Sequence, residues 1–250
     1  MTIHHIYKPA SPLADFIDMF WWYDDYSLPY GRERLLPTGT VELVINLKDE
    51  TMRIYDRHDL TRYHRFRGPL ICGPHARFFH IDAEQQSSII GIHFKAGGAF
   101  PFFGVPIGEL QDTHLALETL WGDAAHELRG RLCAAATPEA KFHILEQALL
   151  RRSSHALTRH PAITYALRVL RDHPQQHTIA SVVDDIGLSA RRFIQLFSAE
   201  VGLTPKLFHR VSRFQAALRH IKTGQRIEWA DLAWQYGYWD QAHLIHDFQA

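Results

Sequence analysis

In the C-terminal half, two sets of polar side chains come directly after a residue of a type that is common at the N-cap of a helix. These sets are Arg191, Arg192 and Gln195 after Ser189, and Gln241, His243 and His246 after Asp240. Arginine can donate two hydrogen bonds to guanine, and glutamine can pair with adenine, when the helix that carries them enters a major groove. The chemistry that these residues could perform is therefore hydrogen bonding to base edges and phosphates of double-stranded DNA.

Each set needs a helix pair to position it. In the first, "TIASVVDDIG" (178–187) begins at the capping residue Thr178 and ends at Gly187, which permits a turn before "ARRFIQLFSAEVG" (190–202). In the second, "IEWADLAWQYG" (227–237) precedes "QAHLIHDFQA" (241–250). Two short helices joined by a tight turn with glycine form a helix-turn-helix motif. Aligned on their caps, the second helices match at apolar positions: Phe193 with Leu244, Ile194 with Ile245, and Phe197 with Phe248.

The segment between the motifs predicts a stiff connection. Residues 205–222 follow Thr204 and predict one helix of about 18 residues, roughly 27 Å long. Helices that read successive major grooves on one face of DNA lie about 34 Å apart, so this helix could set the spacing within one chain. Lys206, Arg210 and Arg213 on it could contact phosphates, and Arg213 could equally form an internal salt bridge.

Residues 161–250 resemble the DNA-binding domain of the AraC/XylS family of transcription regulators. The motifs that carry the resemblance are "GLSARRFIQLFSAEVGLTPKLFHRVSRFQAAL" and "IEWADLAWQYGYWDQAHLIHDF". The resemblance implies a seven-helix domain with two motifs that binds asymmetric operator DNA. Val183 stands where the family has a small alanine, so we expect a slightly spread first motif. The sequence reaches Ala250 where the family continues with a Phe-Gly-Pro segment, so we expect a looser second motif.

Charge is distributed unevenly along a chain that is neutral as a whole. Residues 151–250 hold 13 Lys and Arg against 8 Asp and Glu, whereas the rest holds 14 against 19. This asymmetry favours an anion-binding C-terminal part. The two cysteines, Cys72 and Cys133, suit a reducing cytoplasm, and we expect neither a signal peptide nor a membrane span.

The first hundred residues read as short strands at 40–47, 52–56, 76–82 and 87–94. Residues 94–106 predict irregular structure. From about 107 a helical spacing of Leu115, Leu117, Leu120, Trp121, Leu128 and Leu132 follows, and then a helix at 137–150 with Thr137 as its cap and Lys141 on its surface.

The predicted fold class is α+β. Residues 1–150 form a β-rich domain with following helices, used for effector sensing or dimerisation, and the close spacing of its short strands indicates an antiparallel sandwich or barrel. Residues 155–250 form an all-α domain with two helix-turn-helix motifs, and the polar stretch at 151–160 links the two.

The N-terminal half also resembles the sensor portion that precedes this type of DNA-binding domain. The carrying stretches are "ERLLPTGTVELVINL", "ICGPHARFFHID" and "IIGIHFKAGGAFPFFGVPIGEL". The resemblance implies a cupin-like barrel, which can enclose one ligand. Candidate effector-binding residues are Trp22, His75, Arg77, Phe79 and His93. Glu42, His75, His80 and His93 raise a metal hypothesis, but no His-x-His spacing occurs, so we expect neither metal nor cofactor.

The predicted function is sequence-specific, DNA-binding transcription regulation without enzymatic activity. Expected partners are operator DNA, a small-molecule effector, a second copy of the chain and, for an activator, RNA polymerase; no membrane is expected. The effector would act by changing how helices near 107–150 pack on the DNA-binding domain or on a second subunit. Two alternatives stay open: a metal-dependent cupin-type enzyme or metal sensor fused to a DNA-binding domain, and a regulator that acts through DNA occupancy and dimerisation alone.

Overall fold

The computed structural model describes residues 3–25, 31–153, 157–172, 177–224 and 226–249. We call residues 3–153 the N-terminal region and residues 157–249 the C-terminal region. The N-terminal region holds the strands: β1 Ile3–Tyr7, β2 Ile17–Asp24, β3 Arg32–Leu35, β4 Glu42–Asn46, β5 Thr51–Tyr55, β6 Tyr63–Arg67, β7 Leu70–Cys72, β8 Phe79–Asp82, β9 Ser88–Phe94 and β10 His114–Ala116. Its helices are α1 Phe100–Phe103, α2 Glu118–Trp121, α3 Asp123–Ala134 and α4 Pro138–Arg152. Those of the C-terminal region are α5 Pro161–Asp172, α6 Ile179–Ile186, α7 Ala190–Val201, α8 Pro205–Ile221, α9 Trp229–Gln235 and α10 Gln241–Gln249. The predicted α+β class, with strands first and helices last, is confirmed.

The strands form two open antiparallel sheets, where the resemblance implied a closed cupin-like barrel. One sheet has six strands in the order β1-β2-β9-β4-β7-β10, and the other has four in the order β3-β8-β5-β6. One face of the six-stranded sheet is turned to the second sheet, and the other carries helices, since Phe20 of β2 and Tyr7 of β1 stack on Phe142 of α4. Successive side chains of a strand point to opposite faces of the sheet, so adjacent residues of β2 lie on different faces.

Three local predictions were wrong. His114–Ala116 is a strand that pairs with β7, because Leu115 and Leu117 fit a sheet edge as well as a helical stripe. A short helix, Phe100–Phe103, lies inside the stretch predicted to be irregular. Lys141 is buried, because its Nζ donates to the carbonyl oxygens of Leu132 and Ala135 at 2.6 Å each, at the end of α3 where backbone acceptors lack helical partners.

The helix starts predicted from capping residues are confirmed. The side chains of Thr137, Thr178, Ser189 and Thr204 each accept a hydrogen bond from a backbone N–H in the first turn of the following helix. Within the described residues, no helix is long and apolar enough to span a membrane.

The two regions pack closely where α7 ends. Gly202 caps α7 with a φ of +91°, in the left-handed region. A Cβ added there would collide with Pro74 and would lie 2.6 Å from Ile107 Cγ2, in the short 3-10 helix Ile107–Leu110. A Cβ added at Gly108 of that helix would lie 3.0 Å from the Ser198 carbonyl oxygen of α7. The back of α7 therefore rests directly on the N-terminal region.

Gly202→Ala should destabilise the chain through both its backbone conformation and this collision. We expect it to lower the free energy of unfolding by about 1–3 kcal/mol more than Gly187→Ala does. Gly187 caps α6 with a φ of +70° and has open space around its Cβ position, so it isolates the backbone cost. Urea unfolding followed by circular dichroism measures both. Equal losses for the two variants would show that the contact adds nothing.

Two histidines with buried Nε2 atoms, His75 and His114, lie together beside β7. The rings of His75 and His114 are 4.5 Å apart, and the Nε2 atoms of both are buried with no hydrogen-bond partner among the described residues. Burial lowers the pKa of His75 to about 4, although nearby Asp112 and Glu42 oppose the shift. Burial, with the charges of His75 and His64, lowers the pKa of His114 to about 3. Both are therefore neutral in the folded state at neutral pH.

These histidines should make the chain sensitive to acid. The unfolded chain takes up protons below a pKa of about 6.5, whereas the folded pKa values are lower, so stability falls as pH drops from about 6.5 towards 4. At pH 5 each histidine should cost about 2 kcal/mol relative to pH 8. His114→Leu should recover about one such contribution at pH 5 in thermal unfolding, whereas His126→Leu, at an exposed site, should not. An unchanged pH dependence in His114→Leu would contradict this assignment.

Candidate nucleic-acid interface and ligand cavity

The first polar set lies on the exposed face of α7. Ser189 Oγ accepts a hydrogen bond from the Arg192 backbone N–H at 3.3 Å, which fixes where the helix begins. Arg191, Arg192 and Gln195 are all exposed. On the opposite face Phe193 and Phe197 are fully buried, with their rings edge to face at 5.5 Å. The apolar face therefore orients the polar one outwards.

The second polar set lies in the same way on α10. Asp240 Oδ1 accepts from the His243 backbone N–H at 2.7 Å, and Leu244 is buried beneath the helix. Gln241, His243 and His246 are exposed. The Nδ1 atom of His243 accepts from the Trp239 N–H at 3.3 Å. The neutral ring then carries its proton on Nε2, which leaves an outward donor.

The two motifs differ in how their helices end. Phe197 of α7 is 0% exposed, whereas its counterpart Phe248 of α10 is 38% exposed and packs on Phe214 of α8 at 4.7 Å between ring centres. The sequence match between these phenylalanines therefore does not extend to equal burial.

Helix α8 connects the motifs by belonging to both hydrophobic cores. Phe208 and Val211 pack into the core of the first motif, and Ala217 packs into that of the second. Arg213 donates to the Gly237 carbonyl oxygen at 2.6 Å, and its guanidinium lies over the Tyr238 ring at 4.9 Å. Arg213 thus holds the second motif to α8 and is used internally.

Other polar groups of α8 reach the N-terminal region. Arg210 donates to the Ala76 carbonyl oxygen at 3.0 Å, and Gln215 donates to the Pro37 carbonyl oxygen at 2.6 Å. Lys206, near the start of the helix, is exposed. Of the three basic residues considered as phosphate contacts on this helix, Lys206 alone makes neither a hydrogen bond nor an ion pair with another described residue.

A cavity of about 330 Å³ lies between the two sheets of the N-terminal region. Its volume is within the range of small-molecule sites. Trp21, Tyr23 and Phe79 supply aromatic walls. Trp21 pairs with Gly91 of β9, and a Cβ at position 91 would collide with the indole ring. The glycine therefore allows the Trp21 ring to lie against the sheet.

Several charged groups also line this cavity. The Nδ1 atom of His93 lies 2.6 Å from Glu42 Oε1. Burial alone would lower the pKa of His93, but the hydrogen bond and charge of Glu42 raise it above its usual value. Arg53 is paired with Asp82 at 2.5 Å. Glu33, on the edge strand β3, has neither a hydrogen bond nor an ion pair among the described residues, and burial raises the pKa of its carboxyl.

The predicted effector-binding residues are not all brought together. His93 and Phe79 line the cavity, and His75 borders a smaller adjoining space of about 80 Å³. Trp22 lies on the other face of β2, against the helices, where Lys141 Nζ is 5.2 Å from its ring centre. Strand alternation places Trp21 in the cavity instead. Arg77 is exposed and outside the cavity lining.

The residues of the metal hypothesis are also separated. Glu42 is bonded to His93, while His80 Nε2 accepts from Arg34 Nε at 3.3 Å, and His75 faces Asp112. Across the part of the chain that the structure describes, no three His, Cys, Asp or Glu side chains are arranged to hold a metal.

Sequence reasoning missed Glu33 as a cavity residue. The sequence around Glu33 does not show the alternation typical of a strand, because "RERL" has three charged residues in a row and only one apolar residue. Sequence reasoning also missed that the carbonyl oxygens of Pro37 and Ala76 accept hydrogen bonds from α8, since no side-chain pattern reveals a backbone acceptor.

Family models match part of each region. A family model described as a helix-turn-helix domain matches residues 182–250, and one described as a domain of unknown function (DUF6597) matches residues 5–116. No curated protein matches the chain.

Among solved structures, the chain is similar to ToxT from Vibrio cholerae. One ToxT crystal form has a TM-score of 0.45 and 11% identity, covering 99% of this chain and 93% of ToxT. ToxT bound to (E)-4-(8-methylnaphthalen-1-yl)but-3-enoic acid has a TM-score of 0.45 and 10% identity, covering 99% and 94%. ToxT bound to an unsaturated fatty acid has a TM-score of 0.44 and 11% identity, covering 99% and 90%.

The family match begins within α6 and runs to the end of α10, so it covers both polar sets and the helix between the motifs. The resemblance to AraC/XylS regulators is confirmed for this part of the chain. Residues 182–250 thus form a helix-turn-helix domain of the AraC type.

Proposed function

We propose that this chain is a transcription regulator that binds operator DNA with two helices, and that a small molecule in its N-terminal cavity controls this binding. Base and phosphate contacts come from Arg191, Arg192 and Gln195 on α7, and from Gln241, His243 and His246 on α10. The observation that carries the DNA part is that both sets are exposed at capped helix starts, on motifs tied to one helix. Helix α8 has 17 residues and spans about 26 Å, which suits reading heads one DNA turn apart.

The two functions, effector sensing and DNA binding, follow the predicted domain boundaries. Residues 1–150 sense the effector and residues 155–250 bind DNA. The chain acts in the cytoplasm, where its DNA partner is, and regulates without catalysing a reaction. Assembly with a second copy and contact with RNA polymerase stay predictions.

One path for effector control runs through the segment from β3 to β4. Glu33, Leu35 and Glu42 line the cavity at the two ends of this segment. Between them, the Pro37 carbonyl oxygen accepts from Gln215 of α8. Leu36 and Pro37 also border a small gap together with Phe248 of α10. A ligand that moves the ends of the segment would therefore shift its contact with the second motif.

A second path runs through the 3-10 helix Ile107–Leu110. This helix supports the back of α7 near Ser198 and Gly202. It lies at the start of the stretch 107–150 that the sequence proposed as the coupling element. Each path transmits a signal only if the ligand binds the two arrangements with different affinity.

Arg191→Ala should weaken binding to an operator selected from a random duplex library by about 1–3 kcal/mol, because a bidentate base contact or a phosphate contact is lost. Fluorescence anisotropy with labelled operator measures the dissociation constant. Arg65→Ala is the matched control, since Arg65 is exposed on β6 in the N-terminal region. Equal effects of the two substitutions would remove Arg191 from the interface.

Operator affinity should also depend strongly on salt. Each phosphate neutralised by the protein releases counterions, so log K should fall linearly with log salt, with a slope of about −0.9 per contact. Arg192→Ala should make this slope less negative by about one if Arg192 contacts phosphate. The slope is obtained from anisotropy titrations between about 50 and 200 mM NaCl. A flat dependence for the unsubstituted chain would contradict the DNA interface.

A further inference from the structure

Once the internal ion pairs are set aside, the lining of the cavity between the sheets keeps an excess of negative charge. The positive charge of Arg53 is matched by Asp82, and the His93 ring is hydrogen-bonded to Glu42. Glu33 is left without a hydrogen-bonding or ion-pairing partner among the described residues that line the cavity. An anionic ligand would meet this carboxylate, whereas a cation would pair with it.

Glu33 does not stand alone as an acidic group. The charges of Glu33 and Glu42 both raise the pKa of Tyr23, after the larger effect of burial, so the Tyr23 hydroxyl lies within the field of both carboxylates. Burial also raises the pKa of Glu33 itself, which shows that this carboxylate is partly withdrawn from water. A group that is costly to charge in the empty cavity gains most from a positive partner.

The aromatic walls complement the acidic groups. The rings of Trp21 and Tyr23 are 5.3 Å apart on β2, and the His4 ring stacks on Tyr23 at 4.3 Å. Ring faces attract cations, tryptophan most strongly, and they also pack against apolar groups. The remaining lining is mostly aliphatic, as shown by Val44, Ile54 and Ile89. The walls therefore suit a hydrophobic body, and the Glu33 edge suits a positive head.

We propose that the effector is an amphipathic organic cation, an aromatic or aliphatic molecule with a protonated amine that pairs with Glu33 beside Trp21 and Tyr23. This assignment rests on the proposed function of the cavity as an effector site. It specifies the charge of the ligand and the residue that selects that charge.

The test uses three probes of nearly equal shape on the full chain: biphenyl-4-ylmethylamine, biphenyl-4-ylmethanol and biphenyl-4-carboxylate. Isothermal titration calorimetry at pH 7.5 measures each dissociation constant. We expect the amine, protonated at this pH, to bind at least about tenfold more tightly than the alcohol, since hydrogen bonds to charged groups are the stronger ones. The carboxylate should bind most weakly. Carboxylate binding as tight as that of the amine, or no binding by any probe, would overturn the proposal.

Glu33→Gln keeps the size of the side chain and removes its charge. In this variant the amine should bind about tenfold more weakly, and the alcohol should bind as before. Glu50→Gln is the matched control, because Glu50 is exposed and paired with Arg67 away from the cavity lining. An unchanged preference for the amine in Glu33→Gln would assign the selectivity elsewhere and overturn the proposal.

The three probes on the unsubstituted chain decide the charge preference even if Glu33→Gln folds poorly. Operator binding is measured separately by anisotropy in the absence of any probe. A failure of DNA recognition therefore has its own readout, independent of the three probe affinities.

Discussion

The C-terminal region depends on one helix that is shared by two hydrophobic cores. Helix α8 buries Phe208 and Val211 in the first core and Ala217 in the second, so neither motif can rotate about it without exposing apolar surface. Its interior contains no glycine, and its single proline, Pro205, lies in the first turn, where proline is tolerated. The helix therefore acts as a rigid spacer, and Arg213 adds a polar attachment that fixes the second motif to it. The spacing of the two reading helices is a property of this one element.

The two regions meet through hydrogen bonds and through apolar packing. Arg210 and Gln215 reach backbone carbonyl oxygens of the N-terminal region, and α7 meets the 3-10 helix Ile107–Leu110 through glycines that permit close approach. Ala76 of the N-terminal region also belongs to the hydrophobic core of the first motif. Hydrogen bonds to neutral acceptors contribute only modest net free energy, so the apolar contacts supply much of what holds the regions together. The ligand control proposed above would require two arrangements of this interface with different affinities for the ligand.

The sequence predicted the C-terminal region more completely than the N-terminal region, because the interactions that define its helices are local. The caps of α6, α7 and α8 are local, because Thr178, Ser189 and Thr204 bond to N–H groups three residues away. In the sheets, by contrast, the register decides which side chains meet. Trp21 and Trp22 are adjacent and both aromatic, and only the pairing of β2 with β9 shows which one lines the cavity.

Long-range partners explain the remaining differences. Leu115 fits either a helix or a strand until the pairing of His114–Ala116 with β7 is known. Lys141 carries a charge that predicts exposure, yet the carbonyl groups at the end of α3 hold it in the interior. The acidic character of the cavity follows from which charges find internal partners, and the pairing of Arg53 with Asp82 depends on the neighbouring strands β5 and β8.

The contact between Gly91 and Trp21 links the size of the cavity to the geometry of the sheet. The indole occupies the space above residue 91 because that residue lacks a side chain. A Cβ there would collide with the ring and would also lie 2.9 Å from the Leu43 carbonyl oxygen of β4. A larger residue at this position would therefore displace both the wall of the cavity and the backbone of the neighbouring strand, so the glycine holds the width of the cavity constant.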